Sequence, residues 1–292
     1  MNRRTITTAA LGILAAGVMV PAQPASAGHP AREDAADCRS AGTIGLFDTA
    51  KDLLVANYDS KPDVDDLQAV AGLGSVLQHP DFACVDYIAT AGAYGLQGGA
   101  FLPAAELFTL AFGHQWQDAH ADREGTIATL AERMQATIAK GGRVWVAEAG
   151  QSDVTAAAVE RLPKPMWTSV HVVQHSYWNE SMTSAEAMQT VVYNTRYHRI
   201  QDGNFPDNGS PAFNTDDASH WARLLADPVI GPVWAEAKRL SDLHNPVAAY
   251  VNPAVAKGGL DFSDTVEIAY IFGFDDMTGV GDFVERFARG AQ

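Results

Sequence analysis

Between Asn57 and Val70 the chain reads NYDSKPDVDDLQAV, which puts four aspartates, Asp59, Asp63, Asp65 and Asp66, into one short turn. Like charges that close repel unless a cation, hydrogen-bond donors or water offset them. A hard cation suits such a set, since calcium takes about six to eight oxygens from carboxylates, carbonyls and waters. Thiolates and clustered imidazoles are missing from the neighbouring motifs, which argues against zinc. The DxDxDG spacing of an EF-hand and a Gly-rich loop with GK[ST] are absent too. Helix capping is the structural alternative for the pair Asp65–Asp66.

The elements around the aspartates follow a regular order. DLLVAN, CVDYIATAG, RVWVAEAG and SVHVVQHS read as strands, separated by helical patterns such as DLQAVAGLGSVLQ, ATLAERMQATIAK and VTAAAVERL. Ser152 or Asp153 is placed to cap the last of these helices. SAEAMQTVVYNTRY reads as a further helix, and the chain after Gln201 as a long loop followed by helices. Strands alternating with helices predict an α/β fold, an open, mainly parallel sheet with helices on both faces. Ligands of such sheets bind at the carboxyl ends of the strands, and all four strands end in polar sets. These hold Asn57 and the aspartates; Thr90 and Tyr94; Gln151, Ser152 and Asp153; and Gln174, His175, Asn179 and Glu180. Turn chemistry alone favours Asp, Asn, Ser and Gly at such places. Glu148 is different, a poor capping residue inside an apolar run.

The 292 residues carry a net charge of −15. Residues 1–27 read as an export signal: Arg3 and Arg4, the apolar LGILAAGVMV, and small residues up to Ala27. That run is too short to span a bilayer. Removing it leaves about 265 residues and a charge of about −17, which disfavours nucleic acid partners. Residues 28–45 read as an N-terminal arm and 46–292 as a single α/β domain. A secreted, extracellular location follows, with no membrane association after signal cleavage. The oxidising compartment favours pairing of Cys38 with Cys84, two buried thiols being the alternative.

The stretch from Pro62 to Asp66 resembles the DPGxDD signature of nucleoside hydrolases. Lys61 stands where the first aspartate is expected, Asp59 lies two residues earlier, and Asp63 takes the glycine position. ATAGAYG resembles the family's second-strand segment, AGQSDVTAAAV its GPLTNIA turn, and LHNPVAAYVNP its HDPLAVAYLLDP segment. The resemblance runs from about Leu53 to Pro253 and implies an open, Rossmann-like sheet with Ca2+ at its carboxyl-end rim. It implies Asp66 as bidentate ligand, Asp65 on sugar hydroxyls, and Asp59 (or Asp63) as a ligand and general base. The carbonyl of Ser152 and the amide oxygen of Asn245, where an aspartate is usual, would complete the shell. His244 would lie near the leaving group, and Asn179 and Glu180 near the sugar. Homo-oligomers are a further expectation of the family.

Two residue pairs have competing readings. His171 and His175 share a sheet face; His175, at the strand end, is the substrate-binding candidate, and His171 reads as packed. Tyr177 and Trp178 either stack on a sugar or cover the core. Asp264 is a second source of metal charge, but Glu267 three residues later makes helix capping the preferred reading. A serine elbow of the G-x-S-x-G type is absent, so water is the expected nucleophile. The expected function is calcium-dependent hydrolysis of an N- or O-glycosidic bond in a small-molecule or saccharide substrate. A non-catalytic saccharide binder on the same scaffold is the alternative.

Overall fold

A computed structural model of the chain describes residues 42–289. The expected signal segment, most of the arm and Cys38, with its side of the expected disulfide, lie outside the described residues. A short hairpin, β1 (Thr43–Ile44) with β2 (Phe47–Asp48), comes first. Six strands then form one sheet: β3 (Leu53–Tyr58), β4 (Asp86–Ala91), β5 (Trp116–Asp118), β6 (Val144–Ala149), β7 (Val170–Gln174) and β8 (Arg196–Arg199). Their spatial order is β5-β4-β3-β6-β7-β8, and every neighbouring pair is parallel. This is the expected α/β class.

The helices that cover the sheet are α1 (Asp65–Gln78), α2 (Ala105–Phe112), α3 (Arg123–Ala139), α4 (Asp153–Glu160), α5 (Tyr177–Met182) and α6 (Ala185–Asn194). The last third adds α7 (His220–Ala226), α8 (Gly231–His244), α9 (Pro253–Ala256), α10 (Val266–Phe272) and α11 (Val280–Phe287). A second small hairpin joins β9 (Asn214–Thr215) to β10 (Leu260–Asp261). Among the described residues, no helix is long and apolar enough to cross a membrane.

β3 is apolar on both faces because both are covered. Leu53 and Val55 pack with α3 and α4 residues such as Leu130 and Val159. Leu54, Ala56 and Tyr58 pack with α1, α8 and α10 through residues such as Val70, Trp234 and Ile268. From β3 the chain builds outward through β4 and β5, then returns to place β6 on the other side of β3. The order therefore reverses between β3 and β6, and at such a switch point a crevice opens beyond the carboxyl ends. Tyr58 is in register with Ala149, so Asp59 and Gly150 leave the sheet side by side.

Two edge strands differ from the sequence expectation. β5 is three residues long, and β8 takes Arg196 and Tyr197 out of the helix expected over SAEAMQTVVYNTRY, which ends at Asn194. Thr195 is already extended there. β8 is half-exposed and polar, so it lacks the apolar run that marks a buried strand.

Candidate functional site

The crevice is a cavity of about 630 Å³ bordered by residues from four strand ends and the last third of the chain. Asp59, Asp63 and Asp65 follow β3; Gln97, Gly98 and Gly99 follow β4; Ala149 ends β6; His175, Trp178 and Asn179 follow β7; Asn204, Tyr250 and Asp264 complete the wall. Gly150 makes the convergence possible. A Cβ there would stand 2.4 Å from the Ala93 carbonyl and 2.9 Å from the Asp59 Cβ.

The turn after β3 folds its own amides onto the carboxylates. Ser60, in the left-handed region at φ 56°, aims its N–H at Asp66 Oδ2. Lys61 N–H donates to Asp59 Oδ1 at 2.9 Å, and Gln97 and Gln151 donate to Asp59 Oδ2 at 2.9 and 2.6 Å. Gln97 also donates to the Lys61 carbonyl. Asp59 is thus a clamped carboxylate, and burial pushes its pKa up to about 6 despite these donors. Burial likewise pushes Asp63 to about 7.

Asp66 is only 2% exposed, and its Oδ1 is buried without a hydrogen-bond partner. Oxygens of Asp65, Asp66 and Asp264 lie within 4.8 Å of one another. Burial first, and then neighbouring carboxylates, pushes all three well above the usual carboxylate range. An orphaned buried acceptor among like charges is costly unless a positive group joins it. Three hard oxygen donors with a free lone pair fit a divalent, oxygen-seeking cation.

Asp264 enters this cluster although capping was the preferred sequence reading. No side-chain capping bond forms at its 3-10 turn, Ser263–Thr265, or at α10. Glu267 turns elsewhere: its Oε1 accepts from His175 N at 3.1 Å and lies 2.6 Å from His175 Nδ1. His175 Nε2 then faces Asp264 Oδ1 at 3.7 Å and Asp202 Oδ1 at 4.0 Å. Burial alone would lower the His175 pKa, but the Glu267 carboxylate and further acids outweigh it and raise it.

The remaining expected residues are placed unevenly. Asp63 borders the cavity and lies 3.5 Å from Asn252 Nδ2. Ser152 sits at the N-cap of α4 without a side-chain cap bond, and its carbonyl accepts from Ala156 N at 2.8 Å. Asn245 is engaged by the backbone of Asn252: its Oδ1 accepts from Asn252 N at 2.8 Å and its Nδ2 donates to Asn252 O at 3.0 Å. His244 ends α8 and is not among the cavity-bordering residues. Trp178 borders the cavity, and its indole N–H donates to Gln97 Oε1 at 2.7 Å. Asn179 Oδ1 lies 3.1 Å from Gln151 Nε2. Glu180 is engaged outside the cavity by Arg199 Nε at 2.7 Å and Tyr197 Oη at 2.9 Å.

Glu148 belongs to another environment. It is fully buried and bonded to Asn57 and Thr155, which ties the sheet to α4. His171 stacks near Trp145, with ring centroids 4.2 Å apart, and pairs with His198 at 3.0 Å. Sequence reasoning missed Gln97 and Asp261. Asp261 is buried near the site, accepting from Asn214, Asn252 and the Ser263 amide. Its only sequence signal was its place three residues before Asp264.

No family model matches the chain, and no curated protein sequence does. Among solved structures, a plant nucleoside hydrolase, the PpNRh1 enzyme, is similar at 11% identity and a TM-score of 0.38. That similarity covers 76% of this chain and 78% of the other.

Proposed function

We propose that the chain hydrolyses an N- or O-glycosidic bond with water as nucleophile, aided by a divalent cation held by Asp65, Asp66 and Asp264. Calcium is the cation the all-oxygen donor set favours. The observation that carries this reading is the buried, unpartnered Oδ1 of Asp66 beside two carboxylates that border a large cavity. A divalent cation bound there supplies Lewis-acid polarisation of water and positive charge.

The protein's own groups do the rest. The half-buried Asp65 and the Asn179 amide hold sugar hydroxyls, and the Trp178 ring packs on the sugar's apolar face. Asp59, fixed by three donors, takes the proton as the water oxygen bonds to the anomeric carbon. The carboxylates around the cavity stabilise the oxocarbenium-like transition state electrostatically. With an export signal ahead of it, this chemistry takes place outside the cytoplasm.

Reducing-sugar release from a panel of nucleosides and glycosides, with and without chelator, tests the proposal. Release that stops on chelation and returns with calcium is expected. Full activity after complete calcium removal overturns the cation's part. A second reading, a non-catalytic saccharide binder, is favoured by one observation: Asp59 already accepts three hydrogen bonds. Saccharide binding by calorimetry with no turnover of any glycoside would establish it instead.

A further inference from the structure

Asp59 lies just past β3, outside regular structure, so side chains and turn amides must hold its carboxylate in place. Oδ2 carries two donors, the Gln97 and Gln151 amides, and Oδ1 carries one, the Lys61 N–H. Each carboxylate oxygen offers two lone pairs, so Oδ1 is the less engaged oxygen. The Gln97 amide is oriented by its partners. An indole N–H can only donate, so the atom 2.7 Å from Trp178 Nε1 is Gln97 Oε1. Both hydrogens on Nε2 then meet acceptors, Asp59 Oδ2 at 2.9 Å and the Lys61 carbonyl.

Lys61 returns the contact. Its ammonium donates to the Gln97 carbonyl at 2.8 Å, and the centre of the Tyr94 ring lies 3.6 Å from the same nitrogen. Both residues are buried. Lys61 and Gln97 thus close a bracket around Asp59, each gripping one of its oxygens. The lysine that stands where an aspartate was expected supports the displaced Asp59. We propose that Gln97, braced by Lys61, is a positioning residue that fixes Asp59 Oδ2 and so aims Oδ1 at the attacking water, an inference that rests on the hydrolase reading. As the water oxygen bonds to the anomeric carbon, the glycosidic bond breaks with its electrons going to the leaving group. The water proton passes to Oδ1. A carboxylate displaced by about 1 Å loses on the order of 100-fold in the rate of such a step.

The glycoside that the unaltered chain cleaves best is the probe. Gln97→Leu removes the bonds to Asp59, Lys61, Gln151 and Trp178. Gln97→Glu keeps an acceptor for the Trp178 N–H but sets a carboxylate against Asp59. Each is expected to lower kcat by about 10- to 100-fold. KM should stay within about three-fold, since the lost interaction acts on the chemical step, and calcium affinity by calorimetry should not change. Lys61→Met keeps the backbone N–H on Asp59 and should lower kcat by about three- to ten-fold, adding less than that to Gln97→Leu because the two act as a unit. Unaltered kcat in Gln97→Glu would assign Gln97 to Trp178 alone. A kcat loss matched by lost calcium affinity would assign it to the cation cluster, and a lower Tm with kcat intact would make it a loop anchor. Any of these, or full additivity with Lys61→Met, overturns the inference and leaves the hydrolase standing. Absence of sugar release by the unaltered chain from every glycoside of the panel sinks the hydrolase reading and this inference with it.

Discussion

Two buried polar clusters lie at the carboxyl ends of β3 and β6, and they solve the burial of acid groups in opposite ways. On the α4 side, Glu148 has both oxygens met: Oε1 accepts from Asn57 Nδ2 at 3.0 Å and Oε2 from the Thr155 hydroxyl at 2.5 Å. On the crevice side, Asp66 keeps one oxygen without a donor and has carboxylates for neighbours. A buried acid whose acceptors are all satisfied is a strut between elements. One left short among like charges is a place where something positive belongs. Acid content alone does not separate the two; hydrogen-bond completeness does.

The sharpest way to break this contrast is to remove the orphaned carboxylate. Asp66→Asn and Asp264→Ala should each weaken calcium binding on the order of 100-fold, read by calorimetry. In the unaltered chain, calcium at about 100 times its Kd adds about 2.7 kcal/mol, which raises Tm by about 5–10 °C. Both variants should lose that rise. Asn245→Asp sharpens the assignment. If Asn245 reached the cation, the added charge would tighten binding; with its oxygen on the Asn252 amide, no tightening is expected. A ten-fold gain would return Asn245 to the site.

The strut should respond differently. Glu148→Ala leaves one Asn57 N–H and the Thr155 hydroxyl without their acceptor and is expected to cost about 1–3 kcal/mol in urea unfolding, with no loss of calcium affinity. Burial raises the Glu148 pKa from 4.5 to about 8. Between these values the folded chain keeps a proton that the unfolded chain has released. Stability therefore falls as pH rises through this window and levels off above it. Glu148→Gln should remove Glu148's share of that slope while keeping the Asn57 contact, the raised crevice carboxylates supplying the rest; a slope unchanged in the variant would assign all of it to those groups.

This difference explains what the sequence could and could not disclose. Leu53–Tyr58 and Val144–Ala149 were legible because doubly covered strands need continuous apolar runs, and the polar groups after them followed from strand order. Asp264 was not, because its spacing to Glu267 imitates a capping pair; the packing of its 3-10 turn, Ser263–Thr265, against α1 brings it to Asp65 and Asp66. The LHNPVAAYVNP segment misled in the other direction. Local similarity suggested a ligand at Asn245, but α8 ends at His244 and Asn245 closes a loop onto Asn252. Glu148 looked functional because an acid in an apolar run is conspicuous, yet its partners, Asn57 and Thr155, come from a neighbouring strand and from α4. In each case a side chain's environment is set by elements distant in sequence.

The smallest expected effect lies at the sheet edge, where His171 offers an independent check. Its ring is half-buried against Trp145, and burial, followed by the His198 charge, lowers its pKa from 6.5 to about 4. As pH falls from 6.5 toward 4, the unfolded chain takes up a proton before the folded one does. Stability present above 6.5 is therefore lost through this window, the opposite slope to that of Glu148. Half-exposure screens the effect, so a contribution below about 1 kcal/mol is expected. His171→Phe keeps the ring contact and should flatten the acid limb, read as urea midpoints at several pH values. Between about 4.5 and 6.5 the His171 slope opposes that of Glu148, to which the raised crevice carboxylates, Asp59 and Asp63 among them, add in the same direction. His171→Phe should therefore steepen the fall of stability with rising pH in this window, and Glu148→Gln should make it shallower. Variants that shift stability in the same direction would show that neither group governs it.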